Sequence, residues 1–266
     1  MANVTSKDGT QIAYETKGSG KPVILVDGAI CYRAFGPMGA LAELLAPHFT
    51  VYTYDRRGRG FSSNGKPFAV EREVEDIDAL IEQAGGSAYV YGISSGASLA
   101  LEAALALGSN RIPRLAMYEP PYNGDAAARV QWKEYTQQLN MALSEGRRGD
   151  AVVLFMELVG TPADQVNGMK QAPVWPMFES VAPTLAYDAA VMGKTRGAPL
   201  DRAARLQMPA LVMDGGANLT MMPFMHATAA GLAKAIPNAQ QRTLEGQTHD
   251  VKPEVIAPFL IEFFKS

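Results

Sequence analysis

The sequence predicts an α/β fold, a mainly parallel central sheet covered by helices on both faces, with a helical segment inserted late in the chain. Three observations predict it. Apolar, β-branched runs alternate with stretches of helical period through residues 22–119 and again from 209 onward. The rhythm breaks between about 122 and 200, where helical stretches alternate with loops rich in Pro and Gly. One apolar run, Tyr89-Val90-Tyr91, ends abruptly in Gly92-Ile93-Ser94-Ser95-Gly96, with an Ala/Leu-rich helical run directly behind it.

Taken in order, residues 10–14 alternate enough for an edge strand. Pro22-Val-Ile-Leu-Val-Asp27 is a dense apolar strand opened by proline, which a first strand position tolerates. Residues 36–46 read as a helix with Leu41, Leu44 and Leu45 on its buried side. Phe49-Thr-Val-Tyr-Thr-Tyr-Asp55 is a second strand, its β-branched and aromatic residues suited to a pleated interior. Over 70–84 apolar residues fall at Val70, Val74, Ile77 and Ile81, a helical spacing, while Glu71, Glu73, Glu75 and Asp78 supply the wet face. Strands follow at 87–91 and 114–119, separated by a helix over 95–107. After the irregular segment, 209–214 returns to the sheet, 224–236 is helical, 240–245 is the last strand and 253–264 the closing helix. Residues 1–121 and 201–266 are therefore expected to form the core, and 122–200 an inserted helical cap whose inner surface would roof the serine.

Composition excludes several classes. A chain of 266 residues with 47% hydrophobic content can bury a full core as one α/β domain with a small inserted subdomain. A formal net charge of -3 gives no basic field for nucleic acid and no polybasic membrane anchor. The first residues lack the apolar region of a signal peptide and no segment approaches a membrane span, so a cytoplasmic protein is expected. The single cysteine, Cys31, excludes an internal disulfide framework. His48, His226 and His249 lie far apart with no second cysteine, so no metal site and no cofactor are expected. A homo-oligomer is possible, but no stripe identifies an interface.

The chemistry gathers at Ser94. A Gly-x-Ser-x-Gly between a strand and a helix sets the serine on a cramped turn that pushes its hydroxyl out of the sheet edge. The plainer alternative is a serine capping a helix. His249, in Glu245-Gly-Gln-Thr-His-Asp250 between the last strand and the last helix, can reach over the carboxyl edge of the sheet to take the serine proton. The base needs an acceptor for its other ring nitrogen. Glu119 at its strand end is favoured, Asn218 after the 209–214 strand could serve through its amide oxygen, and Asp214, the third candidate, comes too early and lies too far down the strand. The oxyanion amides are expected from Ser95 and from Ala29 in the turn after the first parallel strand, with Gly28 allowing close approach. Asp55 and Arg57 are expected to brace the turn next to the serine strand. Trp175, Met177, Phe178 and Met222, from an aromatic- and methionine-rich set otherwise suited to core packing, are the pocket candidates.

On Asp27-Gly28, Asp55-Arg-Arg-Gly-Arg-Gly60, Gly92-Ile-Ser-Ser-Gly96 and Gly246-Gln-Thr-His249, the chain resembles the α/β-hydrolase superfamily over nearly its full length. Within it, the chain is similar to a bacterial serine hydrolase group carrying Tyr118-Glu-Pro-Pro121 and Gly246-Gln-Thr-His-Asp250. The superfamily's usual His-Gly at the oxyanion loop is Asp27-Gly28 here, and its usual late acid is Asn218. Haloalkane dehalogenases place the acid after the earlier strand, which matches Glu119, but use an aspartate nucleophile where this chain has Ser94. The resemblance implies a serine hydrolase cleaving a small, largely apolar ester, thioester or lactone through an acyl-enzyme. A cofactor-free C–C bond hydrolase or lyase on the same scaffold is one alternative. A non-catalytic ligand-binding protein with a degenerate triad, motivated by Asp27 and the missing late acid, is another.

Overall fold

Eight strands join in one sheet: β1 Ala2–Thr5, β2 Gln11–Lys17, β3 Pro22–Val26, β4 Thr50–Tyr54, β5 Tyr89–Ile93, β6 Leu115–Tyr118, β7 Ala210–Gly215 and β8 Ala239–Leu244. The computed structural model describes residues 1–266, apart from the side chain of Met221. Spatial order is β1-β2-β4-β3-β5-β6-β7-β8. The β1–β2 and β2–β4 pairs are antiparallel, and every pair from β4–β3 to β7–β8 is parallel. This is an α/β-hydrolase fold.

Why β3 and β5 read as unbroken apolar runs is visible in their packing. Along β3, Val23 and Leu25 face α1 (Met38–Leu45) and α12 (Pro253–Lys265), while Ile24 and Val26 face α2 (Val70–Gln83) and α3 (Ser95–Leu107). With helices on both sides, neither parity of the strand meets water. Each fully buried Leu, Ile or Phe contributes about 1.5–3 kcal/mol, so losing either helix layer would unfold the sheet.

Between β6 and β7 the chain is helical, with α4 Ala126–Ser144, α5 Arg148–Leu158, α6 Ala163–Lys170, α7 Trp175–Val181, α8 Leu185–Met192 and α9 Leu200–Ala203. Two further helices, α10 Asn218–Met221 and α11 Pro223–Ala235, lie between β7 and β8. Among the described residues no helix is long and apolar enough to cross a membrane.

Three expectations need correcting. Leu44 is 37% exposed and lies off the buried face of α1, which Met38, Leu41, Ala42 and Leu45 form. The strand expected over 10–14 is not an edge, because β1 pairs along it from Ala2↔Tyr14 to Thr5↔Gln11. The acidic face of α2 is also not wholly wet. Glu73 and Asp76 are each 1% exposed, because buried guanidiniums from the turn after β4 reach them.

The topology fixes where chemistry can occur. The chain leaves β3 for β4 on one side and then crosses to β5 on the other, so the loops after β3 and β5 diverge and open a crevice at their carboxyl ends. Ala29 and Ser94 lie on these two loops.

Candidate active site

Ser94 is held in a conformation that few side chains accept, with φ 56° and ψ -131°. The turn closes so tightly that a Cβ on Gly92 would stand 2.3 Å from the Gly96 carbonyl oxygen. A Cβ on Gly96 would stand 2.3 Å from Val26 O and 2.4 Å from Asp27 O. Both motif glycines are therefore needed for contact, and the second brings the start of α3 against the end of β3. Four non-glycine residues have positive φ among those described, and three of them, Ile30, Ser94 and Glu119, gather here. Such backbone strain costs of order 1–3 kcal/mol per residue and persists where the surroundings enforce it.

Tyr118 ties the three strand ends together. Its carbonyl accepts the Ser94 N–H at 2.9 Å, its phenol donates to Thr248 O at 2.6 Å, and its chain neighbour is Glu119. Glu119 is fully buried, and its Oε2 lies 2.7 Å from His249 Nδ1. Its Oε1 accepts the Gly215 N–H at 2.8 Å, and Asn218 Nδ2 donates to Oε1 and Oε2 at 2.9 and 3.0 Å. Burial alone would raise this carboxyl, but the hydrogen bond and charge of His249, with Asn218 and Gly215, outweigh it and hold Glu119 below its ordinary value. An ionised carboxylate only accepts, so His249 carries its proton on Nδ1 and leaves Nε2 as the free base. No hydrogen bond joins Ser94 to His249 in this conformation; such bonds commonly tighten only when substrate is bound. The Ser94 residue is half-buried and open to approach.

Asn218 stands beside the carboxylate as its donor and does not accept from His249. Asp214 is fully buried and pairs instead with His226 Nδ1 at 2.8 Å, with the Thr243 hydroxyl at 3.1 Å. His48 meets Lys265 at the surface.

Ser95 follows the serine in the chain, and Ala29 follows Gly28, whose loop packs against the serine. Neither amide donates to a main-chain acceptor among the described residues. A Cβ on Gly28 would lie 3.2 Å from Ser94 Cβ, which measures how closely the Asp27-Gly28 loop approaches the elbow. Asp27 is 3% exposed and accepts its neighbour's N–H, that of Gly28, at 3.1 Å. Burial pushes its carboxyl up to about 7 against the opposing pull of Arg59. Burial likewise pushes the Cys31 thiol up to about 12, so it is no thiolate nucleophile.

A model of the alpha/beta hydrolase family matches residues 23–258, from β3 into α12. The chain belongs to the alpha/beta hydrolase family. Over 99% of its length it superposes, with a TM-score of 0.87 and 53% identity, on the whole of an alpha/beta hydrolase from Sphaerobacter thermophilus DSM 20745. It is 33% identical over 145 residues to N-formylmaleamate deformylase of Pseudomonas putida. That match covers 52% of each protein, so the chain spans about half the length of the curated relative it matches. An enol-lactonase from Burkholderia xenovorans LB400 shares the fold at 21% identity, with a TM-score of 0.71 over the full length of both chains.

The structure differs from the sequence expectation around the turn after β4. Asp55 does not pair with Arg57. It accepts the Phe61 N–H at 2.9 Å and pairs with Arg33 at 3.0 Å, while Arg57 reaches Asp76 at 2.7 Å and Asp8 at 2.9 Å. Once Arg33 and the turn's own backbone satisfy Asp55, Arg57 is left for α2. Of the pocket candidates, Trp175 and Phe178 are buried and pack on each other, with ring centroids 6.3 Å apart. Phe178 also meets Phe35 edge-on at 5.6 Å, next to the Ala29 loop. Met177 and Met222 are half-buried.

Sequence reasoning missed Tyr118 and the buried cluster of Arg56, Arg59 and Asp188. A signal existed for the cluster. Three arginines within four residues, behind a strand in a lightly charged chain, need partners. Asp188 also interrupts an otherwise apolar helical face at Leu185, Tyr187, Val191 and Met192. Among the described residues no group of three or more His, Cys, Asp or Glu side chains is placed to hold a metal.

Proposed function

We propose that this hydrolase cleaves a small, largely apolar ester, thioester or lactone through an acyl-enzyme on Ser94. Ser94 Oγ attacks the carbonyl while His249 Nε2 takes its proton, and the Ala29 and Ser95 amides receive the developing oxyanion. His249 returns the proton to the leaving oxygen or sulfur, and water then attacks the ester by the same route in reverse. Glu119 holds the tautomer and stabilises the charged ring. Residues 122–200 act as a helical cap over the site, which limits water around the reacting carbonyl.

The observation that carries this reading is the Glu119–His249 pair at 2.7 Å beside a serine held at positive φ. A buried, hydrogen-bonded carboxylate behind an imidazole, with two unpaired amides nearby, supports acyl transfer better than a binding role. The apolar character of the substrate follows from the lining candidates Trp175, Met177, Phe178 and Met222 and from the absence of a cationic anchor among them.

One second reading has a specific observation behind it. The match to N-formylmaleamate deformylase favours transfer of a formyl group from an amide, with the same residues in the same roles. Labelling with an alkyl fluorophosphonate tests the shared chemistry. Wild-type protein is expected to label on Ser94, and Ser94→Ala to remain unlabelled while folded. Absence of labelling in folded wild type would leave the ligand-binding alternative. Turnover of a panel of 4-nitrophenyl esters and N-formyl amides then separates the two hydrolytic readings.

A further inference from the structure

We infer that Asp188 is a positioning residue for the oxyanion hole, fixing the Ala29 amide through Arg59 and the Ser95 amide through the Ser95 side chain. The inference rests on the reading of Ser94 as the nucleophile and extends it to the segment between β6 and β7.

Asp188 lies on α8, 6% exposed, with Leu185, Tyr187, Val191 and Met192 of the same helix buried around it. Its Oδ1 accepts from Ser95 Oγ and from Arg56 Nη1, both at 2.7 Å, and its Oδ2 accepts from Arg59 Nη2 at 2.8 Å. Arg59 in turn donates through Nη1 to Gly28 O at 2.5 Å and to Cys31 O at 3.0 Å, and through Nε to the Thr184 hydroxyl at 3.0 Å. Gly28 C=O and Ala29 N–H belong to one planar trans peptide and point in opposite directions. Holding the carbonyl on Arg59 therefore aims the Ala29 amide away from the arginine, toward the serine side of the loop. Ser95 carries its oxyanion amide and its Asp188-bound hydroxyl on the same residue, so one bond fixes the first turn of α3. Donors 66 residues apart in sequence, at 29 and 95, thus share a single carboxylate from a third segment.

Energetics favour a geometric role. Arg56 and Arg59 are each 1% exposed, and Arg56 also forks onto Glu73 at 2.7 and 2.9 Å. Two guanidiniums and two carboxylates balance in charge. Buried ion clusters nevertheless add little net stability, because desolvation offsets most of the attraction, whereas they fix position well. Burial would raise the Asp188 carboxyl, but Arg59, Arg56 and the Ser95 hydroxyl outweigh it and keep it below its ordinary value. The carboxylate therefore stays charged, and the arginine that it holds keeps its orientation.

The test compares an alkyl trifluoromethyl ketone, which forms an anionic tetrahedral adduct on Ser94, with the matching methyl ketone, which binds without one. In Asp188→Asn the trifluoromethyl ketone should weaken about tenfold or more, somewhat less than the ~10²–10³ seen for removing an oxyanion donor outright. The methyl ketone should stay within about twofold, because it samples ground-state binding only. Ser95→Ala, a small truncation that keeps its backbone amide, should lose selectivity in the same direction by about threefold or more, and it decides the matter if Asp188→Asn does not fold. Wild type that binds the fluorinated ketone selectively, with folded variants showing the same selectivity, would overturn the role of Asp188 alone. Wild type that neither prefers the fluorinated ketone nor labels on Ser94 would overturn the nucleophile assignment and this inference together.

Discussion

At the residue scale, Glu119 has four short hydrogen-bond contacts and only one of them is to His249. The Gly215 N–H requires an oxygen at the Oε1 position. In Glu119→Gln the amide NH2 is therefore turned toward Nδ1, which forces the ring to accept there and to carry its proton on Nε2, facing Ser94. We expect kcat on 4-nitrophenyl acetate to fall by about 10⁴-fold, the size of loss that a wrong tautomer causes in such triads, with the thermal midpoint nearly unchanged. A loss under tenfold would remove Glu119 from the mechanism. Ser94, His249 and Glu119 were all legible in the sequence because each is marked locally, by a motif, a loop position or a strand end. Asn218 was legible as a residue but not in its role, since only the structure shows it donating to Glu119. Asp188 was not legible as a partner of Arg56 and Arg59, because sequence periodicity shows which way a side chain faces and not which distant charge it meets.

At the element scale, the elbow depends on α3 starting almost in contact with the end of β3. In Gly96→Ala the added methyl must displace the Val26 and Asp27 carbonyl oxygens, 2.3 and 2.4 Å away. Both belong to main chain that cannot swing aside as a side chain could. Overpacking of this kind costs roughly 1–3 kcal/mol or more, so urea unfolding should show a clear loss of stability together with a loss of turnover. A variant as stable and as active as wild type would mean that the elbow is not built as described. Strong elements were readable to within about two residues: α3 at Ser95–Leu107 has the bounds expected, and β5 at Tyr89–Ile93 is displaced by two. β1 was missed because Ala2–Thr5 has no buried residue to impose alternation. α9 and α10, of four residues each, are too short to show a period.

At the scale of the whole molecule, the strand–helix rhythm revealed a parallel sheet, but the spatial order of strands, and hence the crevice between the loops after β3 and β5, came only from the structure. The same crevice makes stability depend on pH through Asp27. Its carboxyl is pushed up to about 7 in the fold, mainly by burial, whereas in the unfolded chain it titrates near 3.8. Between about pH 4 and 7 the unfolded chain loses this proton first, so this group's contribution is full below pH 4, falls as pH rises and levels off above 7. Asp27→Asn removes that slope. The stability of the variant relative to wild type should therefore climb from pH 4 to 7 and then flatten in urea titrations, and a constant difference would contradict the buried, proton-holding carboxyl. The central claim is that Ser94 carries the acyl group. Acid-quenched mass spectrometry during turnover of 4-nitrophenyl acetate tests it most directly: the account predicts one acetyl group on the peptide containing Ser94, absent in Ser94→Ala, and it is contradicted by turnover with no acetylated peptide or with the acetyl group on another residue.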